Sequence, residues 1–184
     1  MMKFSRALLA VMLTIAGLSI AASSASAISG VSISPGGAIT ATSLARLVSQ
    51  GTLGTLECNV TLRGTLTAGL IPIGATLARI GSLTSGTATN CTLNGNPTTV
   101  TLNFGTWNLA ANANGLIVVL GASFSASVCT YTGNVTATPQ LPSPVSLLIT
   151  QASTLNAGGI CGSTTILAGQ GFLLSPAQNI VLLP

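Results

Sequence analysis

The sequence contains no histidine, no aspartate and a single glutamate, Glu57, against five lysines and arginines. Proton transfer and nucleophile activation need titratable partners, and almost none exist here. A serine hydrolase would lack its base, because neither lysine nor histidine follows Lys3. A glycosidase needs two carboxyl groups and finds one. Zinc would lack histidine ligands, and calcium a carboxylate cluster. The glycine pairs Gly36-Gly37 and Gly158-Gly159 fit no phosphate-loop pattern. This composition reads as a non-enzyme with no catalytic, cofactor-binding or metal-binding residues.

Beyond residue 27 the cations are Arg46, Arg63 and Arg79, scattered singly, so nucleic acid has no electrostatic footprint to bind. Aromatics are sparse too: four phenylalanines, one tyrosine and one tryptophan. They cannot furnish the two interfacial girdles of a membrane β-barrel, which leaves an outer-membrane barrel as the last of three readings. Low charge with a mean hydropathy of +0.76 predicts self-association or partition to interfaces.

What is present begins with an export signal. Lys3 and Arg6 precede the apolar run Ala7 to Ile20, and Ala25-Ser26-Ala27 supplies small residues for cleavage. The run is shorter than the roughly 20 residues of a spanning helix, so no stable transmembrane anchor is expected. Cleavage after Ala27 removes 27 of 184 residues and leaves 157, residues 28–184, one β-rich domain by size.

All four cysteines, Cys58, Cys91, Cys129 and Cys161, lie in that exported part. In an oxidising compartment an even number reads as two structural disulfides. The C-x-x-C spacing of a redox or zinc site is missing. Four cysteines allow three pairings. Near-equal separations favour Cys58 with Cys91 and Cys129 with Cys161, without excluding the others.

The clearest local signal is Thr55 to Ala68. Leu56, Cys58, Val60, Leu62, Gly64, Leu66 and Ala68 share one parity, while threonines, Glu57, Asn59 and Arg63 share the other. Strict alternation predicts a half-buried strand with Cys58 inward. Glu57 then faces solvent, opposite an arginine. Val128 to Thr138 alternates likewise. Further strands are expected at Ile39 to Ser43, Ile73 to Ile80, Thr98 to Phe104 and Gly115 to Phe124. Later ones are expected at Val145 to Thr150, Thr164 to Leu167 and Gln178 to Leu183. Ser43 to Gln50 reads as one short helix. Turn chemistry lies at Pro35-Gly36-Gly37, Asn94 to Pro97, Asn114-Gly115, Pro139 to Pro144 and Gly158-Gly159.

Trp107 reads as a core plug rather than an exposed anchor. The 24 threonines beyond residue 27 suit partly exposed pleated surfaces; their irregular T-x-T pairs lack the fixed repeat of an ice-binding array. The acceptor patterns at Asn59, Asn90 and Asn134 are chance matches in so threonine-rich a chain. An all-β fold follows, an antiparallel β-sandwich or Greek-key barrel with two disulfides. The recurrence of Cys58 and Cys91 as Cys129 and Cys161 at nearly one interval hints at internal duplication.

Ile33-Ser34-Pro35-Gly36-Gly37 with Ile39-Thr40-Ala41-Thr42, just after a signal peptide, resembles the opening of small secreted bacterial proteins known as activators of alkane oxidation. The likeness continues through LECNVTLRGT, Gly74-Ala75, a second cysteine, a midchain tryptophan and VCTYTGNVTAT. It departs at Phe104 to Trp107 and in the ending LLSPAQNIVLLP, where the pattern implies a further cysteine strand. The resemblance implies an extracellular or cell-surface protein tied to growth on hydrocarbon and to biofilm, with no catalytic residues to carry over.

The leading expectation is therefore a secreted, non-enzymatic surface or matrix protein. Apolar segments such as Leu70-Ile71-Pro72-Ile73 would contact hydrocarbon, matrix or other copies. The second is an extracellular binding module holding one apolar ligand, marked by an apolar cavity lined by Trp107 and Leu116 to Leu120.

Overall fold

The computed structural model describes residues 27–74, 76–105, 107–140 and 146–184. The expected export signal and most of the Pro139 to Pro144 turn lie outside them. The first strands are β1 (Gly30–Ser34), β2 (Gly37–Ser43), β3 (Leu47–Gly51), β4 (Gly54–Leu66), β5 (Gly69–Pro72) and β6 (Ala78–Leu93). Next come β7 (Asn96–Pro97), β8 (Val100–Leu102), β9 (Asn108–Ala111), β10 (Ile117–Ala126) and β11 (Cys129–Gln140). The last are β12 (Ser146–Ile149), β13 (Ser153–Gly158), β14 (Gly162–Ile166), β15 (Gln170–Ser175) and β16 (Asn179–Leu183). Gly159–Cys161 makes one 3₁₀ turn; no α-helix occurs among the described residues.

Pairing proceeds from neighbour to neighbour, always antiparallel. β2 and β3 line β4, β4 pairs β6, and β6 pairs β7 and β9. β8 and β9 pair β10, β10 pairs β11, and β11 pairs β12 and β13. These meet β15 and β14, which return to β2 and β3. The sheet therefore closes on itself as a barrel of eight staves: β2–β3, β4, β6, β7–β9, β10, β11, β12–β13 and β14–β15. Closure removes the exposed edges that an open sheet would present.

Period-2 alternation explains the wall. Leu56, Cys58, Val60, Leu62 and Leu66 of β4 are buried inward, while Thr55, Glu57, Asn59, Thr61, Arg63 and Thr65 lie outward and more exposed. Gly64 is glycine for a steric reason. A Cβ there would lie 2.0 Å from the Ser82 carbonyl oxygen, beside a bulge in the β4–β6 ladder.

β1, β5 and β16 form a separate three-stranded sheet. β1 leads into β2, β5 links β4 to β6, and β16 follows β15, so all three attach at one end of the barrel and cap it. Val31, Ile33, Ile73 and Ile180 beneath the cap share one core with the barrel lining. Buried Gln178 ties the cap to the wall, accepting from Gly36 N (2.9 Å) and donating to Pro176 O (3.1 Å). The opposite end carries the β3–β4, β6–β7, β10–β11 and β13–β14 hairpins and both disulfides, Cys58–Cys91 and Cys129–Cys161.

The all-β antiparallel class and both disulfides stand as expected. The strands follow one another around the ring, so the architecture is a closed meander rather than a sandwich or a Greek key. The helix expected at Ser43 to Gln50 is instead the end of β2, a short break and β3. Pairing of β3 to both β4 and β14 outweighs any local helical preference. The strand expected at Ile73 to Ile80 starts at Ala78 and runs on to Leu93; its Thr-, Ser- and Gly-rich middle hides the alternation. The duplication is one of order only. Each disulfide involves the second and third staves of its half, but Cys58 and Cys91 lie within strands, whereas Cys129 opens β11 and Cys161 lies in the 3₁₀ turn.

Candidate functional site

The barrel lumen holds a cavity of about 110 Å³. Every stave contributes to its wall, from Leu47 and Val60 through Ala88, Trp107 and Val119 to Phe172. An eight-stranded barrel is just wide enough to be filled by side chains or to hold one small ligand, and here the side chains stop short of filling it. Among the described residues, Ser49 is the one polar side chain in the lining. Trp107 is 6% exposed, stacks on Phe104 with centroids 4.6 Å apart, and donates from Nε1 to Asn103 O at 2.8 Å. It is the expected plug, and it also faces the void.

The hairpin end is sealed by Leu53, Leu93, Phe124, Ala126 and Tyr131 around a void of about 10 Å³, too small for more than one water. Burial raises the Tyr131 phenol above its ordinary value of 10.0. Its hydroxyl donates to Cys161 O at 3.3 Å, beside the Cys129–Cys161 disulfide.

Glu57 meets an arginine, as its outward parity implied: Arg46 Nη1 lies 2.9 Å from its carboxylate. Arg46 Nη2 also donates to Glu57 O, Asn90 O and Thr92 Oγ1. The pair is a clamp across β3, β4 and β6 beside Cys58–Cys91. Among the described residues no group of three or more His, Cys, Asp or Glu comes together, and no helix is long and apolar enough to cross a membrane.

Of the segment expected to contact hydrocarbon, Leu70 (66% exposed) and Pro72 lie on the outer side of the cap, while Ile73 is buried. Two apolar residues that sequence reasoning passed over, Val128 (85%) and Ile160 (89%), project from hairpin tips beside Cys129 and Cys161. Gln170 was also missed. β2–β3, β12–β13 and β14–β15 all break at one level, and the Gln170 amide bridges the gap. Its Nε2 donates to Val48 O (2.8 Å) and Leu167 O (2.7 Å), and its Oε1 accepts from Val48 N. A side-chain amide thus replaces a missing peptide rung, which no sequence periodicity announces.

No family model, curated protein or solved structure matches the chain. The resemblance to activators of alkane oxidation therefore rests on its short motifs alone. The two disulfides point to an oxidising or extracellular environment.

Proposed function

We propose that the chain is an exported, non-catalytic binding barrel that takes one small, mainly apolar molecule into its lumen. The observation carrying this reading is the cavity: about 110 Å³, lined by all eight staves and, among the described residues, apolar but for Ser49. Apolar cavities of this kind stay dry, and an engineered one of about 150 Å³ takes benzene. By that measure this cavity suits a molecule of about four or five heavy atoms. The polar outward face of β4 is the reverse of a lipid-facing wall, so water outside and apolar ligand inside is the arrangement favoured over an outer-membrane barrel.

Trp107 is the sole tryptophan and lines the cavity, so its emission reports occupancy. Titration of the purified protein with short alkanes should give a saturable emission change and a rise in Tm, both fading as the chain outgrows the lumen. Emission and Tm that never change across the series would sink this reading.

The leading sequence expectation, a surface or matrix protein supporting hydrocarbon use and biofilm through outward contacts, keeps one specific support. Val128 and Ile160 lie exposed on two tips joined by Cys129–Cys161. Loss of cell or droplet attachment in a Val128→Ser/Ile160→Ser variant that retains ligand binding would favour that second reading.

A further inference from the structure

We infer that the lumen is built for a neutral ligand with an apolar body and one hydrogen-bonding oxygen, an alcohol, ketone or aldehyde, whose oxygen meets Ser49 Oγ. The inference rests on the ligand-binding reading above. Ser49 sits on β3 between Leu56 of β4 and Ile166 of β14, so its parity points it inward. It is 4% exposed, and its hydroxyl makes no hydrogen bond to any described residue. Among the described residues Arg46 Nε is the one unpartnered side-chain polar atom shut off from all free space; the Ser49 hydroxyl is not shut off, and its residue lines the void.

Two neighbouring serines show the contrast. Ser43 Oγ accepts from Val60 N at 3.0 Å and Ser153 Oγ from Thr136 N at 3.2 Å, so each is engaged with the backbone. A hydroxyl left bare among apolar groups is unfavourable until a partner arrives. Water fits poorly, since a buried water needs two to four polar partners and this wall offers one side chain. A carboxylate or ammonium group fits worse, because no described residue lining the cavity is charged and a buried charge needs a counter-charge. An apolar molecule with a single neutral oxygen satisfies the site on both counts.

The test compares 1-butanol with pentane, which have equal heavy-atom counts. Each is titrated into the wild type, Ser49→Ala and Ser49→Thr, with Trp107 emission and Tm as readouts. Alanine removes little besides the hydroxyl, and threonine retains it. The butanol-to-pentane affinity ratio should fall about tenfold in Ser49→Ala, the upper range for one net hydrogen bond, and hold in Ser49→Thr. If both ligands bind but the ratio is the same in wild type and Ser49→Ala, the inference fails and the binding barrel stands. If neither ligand binds the wild type, both fall.

Discussion

Filling the lumen from its own wall tests whether the cavity is the ligand's seat. Ala88 on β6 pairs with Val60 of β4; both line the cavity, and Ala88 is half-buried. Ala88→Leu adds three carbon groups, worth about 2.4 kcal/mol at about 0.8 kcal/mol per buried methylene. The void gives a matching bound. Its 110 Å³, at about 24 cal/mol per Å³, caps the gain near 2.6 kcal/mol. Two terms oppose it: about 0.5–1 kcal/mol to order the leucine, and about 1–3 kcal/mol wherever the new methyls press on the wall. The net effect on stability should therefore fall between about −1.6 and +2 kcal/mol, depending on that misfit, or a Tm shift of at most about 8 °C for a chain this size.

Binding is the sharper readout, because the leucine occupies the space whether or not it fits well. Guanidinium unfolding with the disulfides intact gives the stability arm, with the midpoint moving and the slope unchanged. Pentane or butanol titration followed by Trp107 emission gives the other, where affinity should fall at least tenfold. A folded Ala88→Leu protein that binds as the wild type does would refute the reasoning, for the ligand would then sit elsewhere.

Removing either disulfide as a double serine variant should cost about 3.7 kcal/mol, since sequence separations of 33 and 32 residues close nearly equal loops. Urea unfolding that separates the two variants by more than about 2 kcal/mol would show that loop closure does not set their contribution. Tyr131 adds a pH dependence. Its native pKa is raised by burial, so with rising pH the unfolded tyrosine ionises first. Its contribution is whole below about pH 10 and is lost as pH climbs through the native value. Tyr131→Phe should flatten that alkaline limb in melts at stepped pH; an unchanged slope would assign the loss to another group.

Much of the wall was legible because side-chain parity is a local property. In β4 the alternation from Leu56 to Leu66 names one face as interior without reference to any partner, and it places Cys58 inward and Glu57 outward. The same rule failed on β6, where Ser82 to Asn90 is nearly all small and polar. Only Leu83, Ala88 and the flanking Ile80 and Cys91 mark its inward side there, and a bulge shifts the register. β13 and β15 escaped notice for a similar reason: neither Ser153–Gly158 nor Gln170–Ser175 alternates cleanly enough to stand out from its turns.

Composition alone decided that ionisable chemistry is scarce, because missing side chains cannot be supplied by folding. It also decided that strands would predominate and that the cysteines suit an oxidising compartment. Only tertiary structure decided that the sheet closes. The pairing of β14–β15 with β2–β3 joins residues more than a hundred apart, and its free energy resides in contacts that no local window contains. Closure in turn created the lumen, and with it the role of Ser49. Read locally, that serine belonged to a short helix; held between β4 and β14, the same residue becomes the one polar side chain among the described residues that line an apolar cavity.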